Sequence, residues 1–336
     1  VILGASRGQD TIAGTSFFEL RQLDLDSGRR RSIALGFFPH GIAFDPHQPN
    51  RAFLFEKKGP GACEVDLHEG RMVRPLTTAA DRSFYGHGTF SADGTLLFST
   101  ETETSTHDGV LLMRDAQTLE VVEELPTFGK NPHDCCLIDG GRTLVVTNGG
   151  GAFPDGDAPS VTFIEVQSRK LLDRLIFSNP RINAGHVVVG RDRSVAVASA
   201  PRDGLSPSDH GGLSLRGPTG ALETMTEPVE VAQGMLGETL SLSLHESSGH
   251  LAVTSPTGNQ LSFWRMRDRK LAKALTVKAA RGVTQTLDGA LFVVSSGPTG
   301  SLGFYSPKTL RESAELRRPD VGMVGSHLYV WAGTVR

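Results

Sequence analysis

Long apolar stretches are missing from this chain. No run approaches the roughly 18 residues that a membrane-crossing helix requires, so insertion by helices is excluded. Blocks of one charge are missing too: 34 Lys+Arg stand against 37 Asp+Glu, a formal net charge of −3. That balance argues against nucleic acid or an anionic membrane as the principal partner. Cysteine is scarce, and Cys63, Cys135 and Cys136 make an odd count with one vicinal pair. No disulfide framework can be built from them. Sustained i, i+3, i+4, i+7 periodicity is also lacking, so little helix is expected. The sequence begins Val1-Ile2-Leu3-Gly4, without Met or a basic, apolar leader. A cleaved export signal and a trimmed chain are both compatible with that beginning.

What is present is turn chemistry and short apolar runs. The 39 glycines and 18 prolines punctuate 336 residues, and between them lie strand-like segments of β-branched and aromatic residues. A unit recurs: a polar or His-containing start, an apolar run, an Asp-Gly-like turn and a second apolar run. It is clearest from Gly86-His87-Gly88 through Asp93-Gly94 to Phe98-Ser99-Thr100, and returns from Pro132-His133-Asp134 through Asp139-Gly140 to Thr147-Asn148. Further copies begin at Pro39-His40, Gly185-His186, Leu240, Gly282 and Ser326-His327. Two more strand-like runs follow each pair, as in Gly109–Met113 and Val121–Leu125. Four short strands repeated seven times, at intervals of about 42–54 residues, predict an all-β, seven-bladed β-propeller. Residues 1–336 are then a single domain, because each blade needs its neighbours to cover its faces. The last copy has one strand and the N-terminus has three, so the closing blade is expected to combine one C-terminal strand with three N-terminal strands.

Repeat register places His40, His87, His133, His186 and His327 at one mouth of the channel, with the second-strand ends, among them Lys57, Glu101, Asn148 and Ser199, on the same face. Imidazole is the commonest transition-metal ligand. His87, His133 and His186 are therefore candidate metal ligands for Fe, Cu or Zn, and His40, His327, Glu101 and Asn148 candidate ligand-binding residues. The recurrence suits a second role as well, a histidine bonding a neighbouring strand at a fixed blade position. Glu101, Glu103, His107 and Asp108 are expected in one loop on that face. Cys135 and Cys136 alternate across a strand and cannot both join His133 at a metal. Gly149-Gly150-Gly151 offers backbone amides that could take an anion, but precedes a strand and is no P-loop. Gly4-Ala5-Ser6-Arg7-Gly8 matches the nucleophile-elbow pattern, yet Gln9-Asp10-Thr11-Ile12-Ala13-Gly14 reads as a loop toward another strand, without the helix that the elbow needs. No catalytic residue can be assigned.

Gly4-Ala5-Ser6, Phe84–Gly88, Ser91–Gly94, Pro132-His133-Asp134, Thr143–Gly150 and Val253–Pro256 resemble an uncharacterised bacterial family of seven-bladed propellers. Its members usually carry a twin-arginine export signal. Their genes often accompany imelysin-like iron-uptake lipoproteins and di-haem-peroxidase-like proteins. The resemblance implies a periplasmic location, uptake-system proteins or a small ligand as partners, and a link to iron or copper traffic. It carries over no catalytic residues. Leu240 and Gly282 stand where other blades have histidine, and a looser similarity runs to lactonase-type and surface-layer propellers. Three functions follow as expectations. One is a metal- or small-ligand-binding accessory protein. Another is a lactonase-like metal-dependent hydrolase using Glu101, Asn148 and a histidine. The last is a protein-interaction platform.

Overall fold

The computed structural model describes residues 1–9 and 16–335. Residues 10–14, part of the segment expected as a loop after the Gly4–Gly8 pattern, lie outside them. Two compact units divide the chain: 1–149 with 161–174 and 331–336, and 150–160 with 175–330.

The first unit is built from consecutive antiparallel strands. Its N-terminal sheet holds β1 (Ile2–Gln9), β2 (Ser16–Leu23) and β3 (Arg30–Leu35). Ser6 lies inside β1, on a regular ladder opposite Glu19, so no elbow forms. The C-terminal run joins this unit: the Val1 amine donates to Trp331 O and the Trp331 amide to Val1 O, both at 2.9 Å. The Trp331 indole donates to Pro49 O at 2.7 Å. Next come β4 (Pro39–Phe44), β5 (Arg51–Gly59), β6 (Ala62–Asp66) and β7 (Arg71–Leu76). They are followed by β8 (Arg82–Phe90), β9 (Leu96–Glu103), β10 (Asp108–Asp115) and β11 (Val121–Lys130). The fourth group is β12 (Pro132–Ile138), β13 (Thr143–Asn148), β14 (Ser160–Glu165) and β15 (Leu171–Ile176). Phe53, Phe55, Phe84, Phe90 and Leu97 fill the space between the second and third groups. Phe98, Leu111, Cys135, Leu144 and Val146 do the same between the third and fourth. Sheets stacked face to face through alternate apolar residues are what the period-2 pattern dictates.

The second unit repeats the plan. Its strands are β16 (His186–Val189), β17 (Val195–Ser199), β18 (Gly212–Arg216) and β19 (Glu223–Thr224). After the five-residue helix α1 (Val229–Gln233) come β20 (Ser241–His245), β21 (His250–Ser255), β22 (Gln260–Arg265) and β23 (Lys270–Thr276). The last group has β24 (Val283–Gln285), β25 (Phe292–Ser296) and β26 (Ser301–Tyr305), then β27 (Leu328–Val330). Outside β26 the expected fourth strand is replaced by isolated bridges, Tyr305 to Glu312 and Leu302 to Arg318. Trp264, Leu251, Val253 and Leu213 centre one core of this unit, and Phe263, Phe292 and Tyr305 another.

Candidate metal centre

The three histidines of the first unit share one backbone device. In the β4–β5 ladder, Pro39 faces Glu56 and Gly41 faces Phe55, so His40 is extruded between adjacent pairs. In β8–β9, Phe84 faces Glu101 and Gly88 faces Ser99, leaving Tyr85, Gly86 and His87 opposite Thr100 alone. In β12–β13, Pro132 faces Asn148 and Cys135 faces Val146, leaving His133 and Asp134 opposite Thr147. An extra residue breaks the in/out alternation and re-aims the side chain it carries. The backbone groups so displaced need other partners. The Thr100 hydroxyl lies 3.0 Å from His87 O and 3.3 Å from His133 O, and the Asp134 amide donates to Thr147 Oγ1 at 2.9 Å.

The result is a buried trio. Ring centroids are 4.9 Å apart for His40 and His87, 5.1 Å for His40 and His133, and 5.2 Å for His87 and His133. His40 Nε2 and His133 Nε2 face each other at 3.4 Å. A ring nitrogen of His40 and one of His87 lie within 4.8 Å. Glycine makes this approach possible. Gly86 has φ +126°, and a methyl there would sit 2.8 Å from His40 Cδ2. At Gly41 it would meet Gly86 O at 2.3 Å and His87 Nδ1 at 2.8 Å.

The hydrogen bonds around the trio set which ring nitrogen carries the proton. His133 Nδ1 lies 3.1 Å from Tyr85 O, and a carbonyl only accepts, so Nδ1 carries the proton. In the neutral ring that leaves a lone pair on Nε2, pointed at His40. His87 Nδ1 lies 3.4 Å from Asp134 Oδ1, and the same oxygen accepts the Cys135 amide at 2.8 Å. Burial holds His87 below the usual histidine range; Asp134 pulls the other way and the Lys57 charge adds to the lowering. A neutral imidazole whose second nitrogen is held by a carbonyl or carboxylate is the usual form of a metal-ligating histidine.

His186 and His327 lie in the second unit, where they form a pair. Their Nε2 atoms are 2.7 Å apart, and Ser241 Oγ is 3.4 Å from His327 Nδ1. His186 sits in register opposite Ala198, with no bulge.

The other sequence candidates serve the strands. Glu101, with Glu103, belongs to β9, and Asp108 begins β10, so the single acidic loop expected for Glu101 to Asp108 shrinks to the turn around His107. The fully buried Glu101 carboxylate accepts from Arg114 Nη2 at 2.8 Å, from Ser99 Oγ at 2.9 Å and from the Thr78 hydroxyl. Asn148 is fully buried as well; its Oδ1 accepts from Thr127 Oγ1 at 2.7 Å and its Nδ2 donates to Thr127 O at 3.2 Å and to Thr162 Oγ1 at 3.1 Å. Cys135 is buried in the apolar core beside Phe98, Leu111 and Leu144. Gly149 and Gly151 spend their amides on Asn131 O and Asp157 O, so the expected anion cradle is closed by backbone. Arg202 instead binds that loop's carbonyls at Gly151, Gly156 and Asp157. The bulges and the Tyr85 carbonyl went unread as parts of the site. The only signal in the sequence was glycine flanking histidine in Gly86-His87-Gly88 and His40-Gly41.

Compared with known proteins, residues 34–323 match the family described as "Protein of unknown function (DUF1513)". Among curated proteins no sequence match is found. Among solved structures the chain is similar to the hydrazine synthase of Kuenenia stuttgartiensis, with a TM-score of 0.69 and 12% identity over 91% of this chain and 95% of that one. At that identity the likeness speaks for the fold alone, a β-propeller-type array of antiparallel sheets.

Proposed function

From the premise that the chain belongs to this family of unknown function, whose match spans residues 34–323, we propose that it is a transition-metal-binding protein whose ion is held by His40, His87 and His133. The observation that carries this reading is the 3.4 Å separation of His40 Nε2 and His133 Nε2. Two nitrogens bound at about 2.0–2.1 Å to one tetrahedral ion stand about 3.3–3.4 Å apart. The donors lie where a small displacement would bring an ion between them, and the Tyr85 carbonyl already orients one of them. Three imidazoles suit zinc or copper, and also ferrous iron.

The remainder of the proposal is an accessory role in metal traffic, in the periplasm, within a single seven-bladed domain whose first blade is completed by the C-terminal run. The paired hydrogen bonds of Val1 and Trp331 support the last point; location and traffic rest on the family resemblance. Binding is favoured over hydrolysis because Glu101 and Asn148, the residues a hydrolase reading would use, are spent on Arg114, Thr127 and Thr162. The test is metal analysis of protein purified without an affinity tag and reconstituted with zinc, copper(I) or iron(II). About one ion per chain, lost in His40→Ala/His133→Ala, is expected. A chain that holds no ion at micromolar concentrations overturns the reading.

A further inference from the structure

One ion pair recurs where the turn before an outer strand meets the outer strand of the preceding group. In the first unit Arg169, in the turn before β15, pairs with Glu123 of β11. In the second unit Arg269, in the turn before β23, pairs with Glu223 of β19 at 2.7 Å. Both arginines take a left-handed conformation, φ +62° and +57°. The strands that receive them differ, because β11 runs for ten residues and β19 stops after two. The Met225 amide still donates to Leu213 O at 2.8 Å, and the chain then leaves the sheet toward α1. A cleft of about 680 Å³ opens there, lined by residues 223–228 on one side and by Arg265 and residues 269–271 on the other. All of its walls belong to the second unit. Its volume is that of a small-ligand pocket.

The surfaces of the cleft differ in chemistry. Met225 and Leu271 give it an apolar floor, half-buried against the core around Trp264. The wall between β22 and β23 is cationic. Arg265 turns its Nε to the Asp268 carboxylate at 3.0 Å, which leaves the terminal amino groups of the guanidinium for another acceptor. The exposed Lys270 ammonium makes no ion pair or hydrogen bond among the described residues. Arg269, by contrast, is neutralised by Glu223. The facing wall carries Glu227, exposed and likewise without a partner among the described residues. A simple anion would satisfy Arg265 and Lys270 but share the cleft with the Glu227 carboxylate, and a simple cation would meet the reverse conflict. A ligand with a carboxylate at one end, an ammonium at the other and an apolar middle matches all three surfaces.

We infer that this cleft binds a short apolar peptide with both termini free. Its carboxylate lies against Arg265 and Lys270, its ammonium against Glu227, and its side chains on Met225 and Leu271. None of these residues belongs to the histidine clusters, and the site needs no metal.

Trileucine is the probe. The methionine methyl groups are labelled with carbon-13, and the Met225 signal is assigned by its loss in Met225→Leu. Titration is expected to move that signal saturably. Amidation of the peptide's C-terminus and acetylation of its N-terminus should each weaken binding about three- to tenfold, as for partly exposed charge-assisted contacts. Lys270→Met should cost the free peptide a similar factor and its amide little, and Glu227→Gln should do the same for the free and acetylated forms. Arg267→Met, on the same turn but outside the cleft, should change neither. A Met225 signal unmoved by millimolar trileucine overturns the inference. So does a cap at either end that leaves affinity unchanged, because the ligand is then read at one end only. Those measurements use the wild-type chain and stand whatever the stability of the variants. Affinity for trileucine unchanged in either wall variant, or lowered equally in Arg267→Met, overturns it as well.

Discussion

The two units use the same blade grammar, yet they treat histidine differently. In the first, three successive inner strands are interrupted by bulges, and each bulge delivers a histidine into a common cluster. In the second, β16 pairs in perfect register, and β20 and β24 begin after Leu240 and Gly282. The second unit keeps the supporting hydroxyls. Thr254 Oγ1 accepts the Ser241 amide at 3.1 Å, and Ser295 Oγ the Gly282 amide at 3.0 Å. The hydroxyl latch is thus a property of the fold, while the bulge with its histidine is an addition. A feature that costs ladder bonds and is confined to one region is the better candidate for function.

The comparison breaks most visibly at the imidazoles. His40→Ala/His133→Ala should weaken metal binding by about a hundredfold or more, beyond the 10- to 100-fold range of orienting residues. His245→Ala, at a second-unit imidazole bonded to the hydroxyls of Ser247 and Ser248, should leave stoichiometry at the first unit's site unchanged. Inductively coupled plasma analysis after equilibrium dialysis checks both, and equal losses would erase the distinction between units.

Gly86→Ala comes next. Its methyl would press on His40 from a backbone conformation that suits glycine, so a loss of about 1–3 kcal/mol is expected, with weaker metal binding alongside. Urea unfolding with and without zinc measures the two effects.

A smaller and sharper contrast comes from the hydroxyls. Thr100→Val and Thr254→Val should each cost about 0.5–1.5 kcal/mol, but only the first should also lower metal affinity, because Thr100 holds the carbonyls of His87 and His133.

The smallest effect is on pH. Burial lowers the folded-state value of His87, so the unfolded chain binds the extra proton first. Stability of the metal-free protein is then full above the ordinary imidazole value of about 6.5 and is lost as pH falls from there through the folded-state value. His87→Gln should flatten that slope in urea midpoints taken between pH 7.5 and 5.

Much of this molecule was legible in the sequence because strands announce themselves locally. The inner strands around Val145-Val146 and Ala196-Val197, and the turn at Asp93-Gly94, follow from alternation and glycine placement. The second unit's last outer strand was not legible, because Glu312 and Arg318 make isolated bridges in a segment with no alternating pattern. The candidate site was half legible. Recurrent histidine marked positions of which the structure brings His40, His87 and His133 together, but sequence could not tell which strands would bulge, since a bulge depends on the register of the partner strand. Glu101 and Asn148 looked equally available on paper; a buried Arg114 and two threonines, distant in sequence, occupy them.

X-ray absorption spectroscopy of the zinc- or copper-loaded chain tests the central claim most directly. The account predicts a single shell of light scatterers at about 2.0–2.1 Å with the outer-shell pattern of two or three imidazoles and no sulfur. A sulfur shell at about 2.3 Å, or a shell without imidazole scattering, would contradict it.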